Sequence, residues 1–170
     1  MGRRAARHRF VPHHYVFPGG RVDARDYAAP VGSPLRDEVL KKLCTAGTPR
    51  LARALAVAAA RETFEETGLA LGDPARPDLK HLDYALRAIT PPQSPIRFHA
   101  RFFTVEARHL SGELASNGEL LDLAWRPVAE CLQLPIVDVT EYFLRELAAA
   151  PLAPREARLF SFRKGKAVLT

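Results

Sequence analysis

Apolar residues recur along the chain at two different spacings, and the change between them divides it into halves. From Leu51 to Thr67 the sequence is built of alanine, leucine, arginine and glutamate, all strong helix formers. Gly68 follows where a left-handed C-cap would close that helix. A shorter helix is predicted at 35–43 (LRDEVLKKL), between the loop 27–34 (YAAPVGSP) and a second loop holding Gly47 and Pro49. Further on, the bulk shifts to residues suited to a sheet. Strands are predicted at 81–89 and 98–107, separated by the proline-rich loop 90–95, with another around Leu121–Arg126 after the turn 115–118. Val139, Tyr142, Phe143 and Leu147 share roughly one face of a helix at 137–149, and the tail RLFSFRKGKAVL reads as a hairpin around Lys164-Gly165. Strands mixed with a few helices predict an α+β fold or three-layer sandwich.

Length and composition fit this picture. The 170 residues suit one domain, and 47% hydrophobic content supplies a core. No apolar run approaches the ~18 residues of a membrane span. The N-terminal MGRRAARHRF is basic, but no apolar stretch follows it as in a secretory signal, so the cytoplasm is the expected location. Cys44 and Cys131 have no metal-ligand spacing and read as reduced thiols. A net charge of +6 suits a nucleic acid or a small polyanion such as a nucleotide diphosphate. The arginines are scattered, which argues against a dedicated nucleic-acid stripe.

One cluster of charge is out of place. Glu62, Glu65 and Glu66 stand at i, i+3 and i+4, so three carboxylates crowd about one turn near the helix C-terminus. The macrodipole disfavours negative charge at that end. Arg61 can pair with Glu65, but one arginine does not offset three glutamates. A divalent ion does. Oxygen-only donors select Mg²⁺ or Mn²⁺, and Mg²⁺ is usually completed by water and substrate phosphates. Hydrolysis of a diphosphate is the chemistry this combination suggests.

The segment Arg61-Glu62-Thr63-Phe64-Glu65-Glu66-Thr67-Gly68-Leu69 resembles the second half of the Nudix box, G-x5-E-x7-R-E-U-x-E-E-x-G-U, with U apolar. Thr63 is the one weak substitution. Arginine, three glutamates and glycine at fixed places arise by chance in about one such chain in ten thousand. The first half departs from the motif. Phe17-Pro18-Gly19-Gly20 resembles the opening turn, and the x5 spacing from Gly20 places Asp26 where the motif has Glu. Asp26 precedes Arg61 by 35 positions rather than eight, so about 27 residues are inserted. A rival alignment from Gly47 puts Arg53 at the Glu position and abandons the Pro-Gly-Gly turn. Insertion here is similar to a Nudix subgroup that includes peroxisomal coenzyme A diphosphatases.

The resemblance implies a single Nudix-type α/β/α sandwich over 1–170 with a mixed central sheet and an inserted helical segment at about 27–50. It implies metal binding by Glu62, Glu65, Glu66 and the Gly19 carbonyl, with catalytic roles for Glu65, Glu119 and Arg61. Glu65 or Glu119 would assist the attacking water, ahead of Asp122 and Glu113. Trp125 falls where relatives with such a late acidic residue often carry Trp. Gly20, Asp26, Arg97 and Arg101 are the expected substrate contacts. The implied substrate is a small-molecule nucleoside diphosphate linked to another moiety, with CoA or acyl-CoA prominent, and the implied assembly a homodimer. Two rivals stay open: a non-catalytic nucleotide- or RNA-binding module, and an RNA 5′-end pyrophosphohydrolase. Because few residues precede Gly19, the resemblance also predicts that N-terminal strands of the sheet are missing.

Overall fold

A computed structural model describes residues 1–7, 11–91, 93–94, 97–149, 158–163 and 166–169. Among the described residues, two larger sheets, a two-stranded ribbon and four α-helices make up the fold. The smaller sheet joins β1 (Gly2–Arg4), β2 (Tyr15–Val16) and β7 (Leu120–Leu121) in the antiparallel order β2-β1-β7. The larger joins β5 (Asp83–Ile89), β6 (His99–Thr104), β8 (Arg158–Arg163) and β9 (Lys166–Leu169) in the order β6-β5-β8-β9. Its β5–β8 pair is parallel and the others antiparallel, so the sheet is mixed. A two-residue turn links the short strands β3 (Gly72–Asp73) and β4 (Arg76–Pro77).

Helices cover both faces of β5. On one side α1 (Asp37–Cys44) and α2 (Pro49–Thr67) enclose Val39, Leu43, Val57, Leu79 and Tyr84. On the other, α4 (Asp138–Ala149) presses Phe143 against Leu86, Ala88 and Phe160. The expected α/β/α sandwich is therefore present, with an additional small sheet beside it. A bulge between Tyr84 and Leu86 redirects alternate side chains, so three successive residues of β5 are buried. Burying a side chain as fully as Leu79 or Leu86 contributes about 1.5–3 kcal/mol.

Local chemistry sets the limits of α2. The Thr48 side chain accepts from the Leu51 N–H at 3.2 Å, and Pro49 occupies the first turn, where its missing donor costs nothing. The helix thus starts ahead of Leu51. Gly68 ends it at φ +73°, donating to the Phe64 carbonyl, and an added Cβ there would meet the Glu113 carbonyl oxygen at 2.5 Å. Five buried alanines, among them Ala52, Ala56 and Ala60, let the helix approach its neighbours closely.

Other boundaries shift from the sequence expectation. His81 belongs to a 3₁₀ turn over Leu79–His81, and after Thr104 the chain leaves the sheet for a second such turn at Ala107–His109. The strand expected around Leu121–Arg126 ends at Leu121 because Asp122 takes φ +49°. That conformation is held by the Tyr15 hydroxyl and Arg126, both of which bond the Asp122 carboxylate. A short helix α3 (Val128–Cys131) had no clear sequence signal. The expected tail hairpin forms from β8 and β9, while its turn at 164–165 lies outside the described residues. Gly2–Arg4 forms the middle strand of the small sheet. Cys131 is buried and Cys44 half-buried, both free thiols. Among the described residues no helix is long and apolar enough to cross a membrane.

Candidate active site

Arg61 is the hub around which the acidic residues are arranged. Its Nε and Nη2 bond the two carboxylate oxygens of Asp26 at 3.0 and 3.1 Å. Nη1 donates to Glu62 at 2.7 Å and Glu65 at 2.9 Å, and Nη2 also reaches the Arg21 carbonyl at 3.0 Å. These five bonds use all five guanidinium donors. Arg61, expected among the catalytic residues, has every donor engaged by these partners. The Asp26 bonds, followed by those to Glu62, raise its pKa further.

Asp26, an expected substrate contact, sits beneath Arg61. Only 1% of it is exposed, and both oxygens are occupied by Arg61 and by the Asp23 N–H at 2.7 Å. Burial pushes its carboxyl up, but the Arg61 and Asp23 bonds outweigh this and hold it below the ordinary range. A short 3₁₀ turn, Ala24–Tyr27, presents it to the helix, so chain 35 residues distant from Arg61 is anchored there.

The three glutamates do not share one environment. Glu66 is buried, and its Oε2 accepts from the Gly19 N–H at 2.8 Å. Burial pushes its carboxyl up to about 7, with Glu62 and Glu119 adding to the rise and the Gly19 bond opposing it. Glu62 is raised for the same first reason, against the pull of Arg61. Glu119, placed by a backbone bond from Ala5 to its carbonyl, acts on both through its charge. Glu65 is exposed and turns the other way, toward Arg61 and Arg25, the latter at 3.1 Å. Sequence reasoning gave no signal for Arg25.

No three acidic, imidazole or thiol side chains among the described residues converge into a ready-made metal cage. The reason is electrostatic: like charges do not gather without a cation, and Arg61 already satisfies Glu62 and Glu65. The donors nevertheless fit a hard divalent ion. They are all oxygens, the charge of Glu119 raises both Glu62 and Glu66, and the backbone has been cleared for them at Gly20. A Cβ on Gly20 would lie 2.2 Å from Glu62 Oε1.

No family model and no curated protein matches the chain. Solved structures do. A NUDIX hydrolase from Alicyclobacillus acidocaldarius superposes with a TM-score of 0.67 and 28% identity, over 88% of this chain and 82% of that one. The fold is that of a Nudix hydrolase. A MutT protein from Bacillus halodurans is more distant, with a TM-score of 0.44 and 15% identity over 65% of this chain and 68% of that one, and adds nothing further. Nudix fold and Nudix motif agree on an enzyme of that type.

Gly19 contributes its N–H to Glu66, and Gly20 lies where an added Cβ would meet the Glu62 carboxylate. Arg101 is engaged by the carbonyls of His99 and Ala46, at 2.9 and 3.0 Å, and Arg97 is exposed ahead of β6. Neither makes a described contact with the carboxylates. Asp122 is committed to Tyr15 and Arg126, which leaves Glu119 as the late acidic residue closest in effect to the cluster. Trp125 is 64% exposed. Replacing Gly20 by Ala should displace the flexible end of Glu62 at a stability cost below ~1 kcal/mol, while weakening Mn²⁺ binding about tenfold. Calorimetric titration with Mn²⁺ beside a denaturation curve checks both halves.

Proposed function

We propose that this chain is a metal-dependent Nudix-type pyrophosphohydrolase acting on a nucleoside diphosphate linked to another moiety. The observation that carries this reading is the buried Glu66, kept beside the charges of Glu62 and Glu119, with the Gly19 N–H and the charge of Arg4 opposing its rise. Nudix hydrolases generally use divalent metals, and here Glu62, Glu66 and Glu119, with Glu65 at the rim, would hold Mg²⁺ or Mn²⁺. Such an ion supplies charge neutralisation on the diphosphate and activation of the attacking water.

The remaining work falls to the chain's own groups. Arg61 fixes the directions of Glu62 and Glu65, and the Gly19 N–H orients Glu66. Glu65, the exposed member, would accept a proton from the attacking water. A cleft of about 370 Å³ beside Arg61, walled by Val57, Ala28, Pro74 and Pro77 with Arg25 at its rim, suits the part of the substrate that does not react. CoA or acyl-CoA is the favoured substrate, supported by the position of the insertion between Asp26 and Arg61.

Removal of a general base typically costs 10²–10⁴-fold in rate. Glu65→Gln is therefore expected to lower kcat by roughly 10³-fold on a panel of dinucleotides and CoA species, with products assigned by mass spectrometry. An unchanged rate removes Glu65 from the mechanism. Failure of every diphosphate in the panel, with metal present and fold intact, removes the hydrolase reading itself.

A further inference from the structure

A second charged cluster lies on the larger sheet, away from the glutamates. Arg87 on β5 and Arg101 on β6 are directly opposed partners, and His99, two residues before Arg101, shares their face. Like charges opposite one another on a sheet are destabilising. A carboxylate nearby would relieve this. Among the described residues no carboxylate pairs with Arg87 or Arg101, and the influences on His99 and Arg101 include none.

The three side chains are nevertheless ordered relative to one another. Arg101 is fixed by the His99 and Ala46 carbonyls, which ties β6 to the loop before α2. Arg87 donates through Nε to His99 Nε2, so the imidazole is neutral and carries its proton on Nδ1. Burial first, then the two arginines, lower the His99 pKa to about 4, in keeping with that neutral ring. The terminal nitrogens of Arg87 have no partner among the described contacts. The result is a pre-oriented guanidinium fork, a second guanidinium at its side and a ring N–H, all donors.

We propose that Arg87, Arg101 and His99 form a binding site for a phosphate group, separate from the carboxylate cluster. Guanidinium forks match phosphate oxygens, and two of them balance a dianion. The separation follows from α2. Arg101 holds Ala46, just before the helix, and from Pro49 to Glu62 there are thirteen residues at 1.5 Å each, about 20 Å. One diphosphate does not bridge that distance. The ligand is therefore either a distal phosphate of a long substrate or a separate phosphorylated molecule.

Inorganic phosphate, titrated calorimetrically into the full chain with chelator present, tests the site without any metal or turnover. The wild type should bind phosphate, Arg87→Gln should bind at least tenfold more weakly, and Arg87→Lys should keep most of the affinity. A Glu62→Gln/Glu66→Gln double variant should bind phosphate as the wild type does, whether or not the hydrolase reading holds. Phosphate affinity unchanged in folded Arg87→Gln, or lost in the double glutamate variant, overturns the proposal. Turnover kinetics then distinguish the sources. A tenfold rise in KM for Arg87→Gln with kcat unchanged assigns the site to a distal substrate phosphate, and unchanged KM with phosphate binding lost assigns it to a separate ligand.

Discussion

Asp26→Ala should cost about 3–5 kcal/mol of folding stability, the largest loss expected of any single substitution near the site. The aspartate is 1% exposed and the Arg61 side chain 14%, so the variant leaves a guanidinium that is mostly out of water without its bidentate partner. Two charge-assisted bonds disappear, and so does the acceptor of the Asp23 N–H that shapes the Ala24–Tyr27 turn. In a protein of this size the loss corresponds to a fall in Tm of roughly 6–20 °C. Glu141→Ala provides the contrast, since its pair with Arg145 is exposed on both sides and should change stability by less than ~1 kcal/mol. The double replacement Asp26→Leu/Arg61→Met should recover part of the loss, because it removes the stranded charge as well as its partner. A denaturant midpoint for Asp26→Ala within 1 kcal/mol of the wild type would show that Arg61 does not depend on this anchor.

That anchor also marks how far the sequence could be read. The helix was legible because its alanine-rich propensity and closing glycine agree, while its start at Pro49 under the Thr48 cap lies ahead of the Leu51 expected. The three glutamates were legible because their spacing crowds charge that an ordinary helix avoids. What spacing did not convey was the division of labour. On a helical wheel Glu62 and Glu66 lie about 40° apart, while Glu65 is about 100° from Glu66. The first two therefore turn inward toward Gly19 and Glu119, and Glu65 faces Arg25. Asp26 was found by counting from Gly20, yet nothing in the sequence told that it would be sealed beneath Arg61 instead of facing a ligand. Burial depends on how the 3₁₀ turn packs, which is a tertiary matter. The strand expected through Arg126 failed for a similar reason. Its apolar residues allow a strand, but the bonds from Tyr15 and Arg126 hold Asp122 in a left-handed conformation, and those partners come from distant and later chain.

Glu66→Gln should make the metal-free protein more stable above neutral pH while abolishing its response to Mn²⁺. The sign follows from linkage. A carboxyl whose folded pKa is about 7 against an ordinary 4.5 binds more protons folded than unfolded throughout that interval. Stability is therefore complete below about 4.5 and declines as pH rises through about 7, by at most about 3 kcal/mol. Glutamine does not ionise, and its side-chain oxygen can still accept from the Gly19 N–H, so the variant should lose this slope. At pH 8 in chelator it should exceed the wild type by about 2 kcal/mol. Saturating Mn²⁺ reverses the order, because a ligand that binds only the folded state stabilises by RT ln(1 + [L]/Kd), about 2.7 kcal/mol at a hundred times Kd. The wild type would gain that and the variant would not. Melting curves at pH 5 and pH 8, each with chelator and with Mn²⁺, contain the whole test. Should Glu66→Gln prove the less stable protein at pH 8 in chelator, the buried carboxylate is compensated by its surroundings and has no need of a cation. A site that holds charge at a cost when empty has a reason to bind metal tightly, since the ion relieves the same repulsion that weakened the fold.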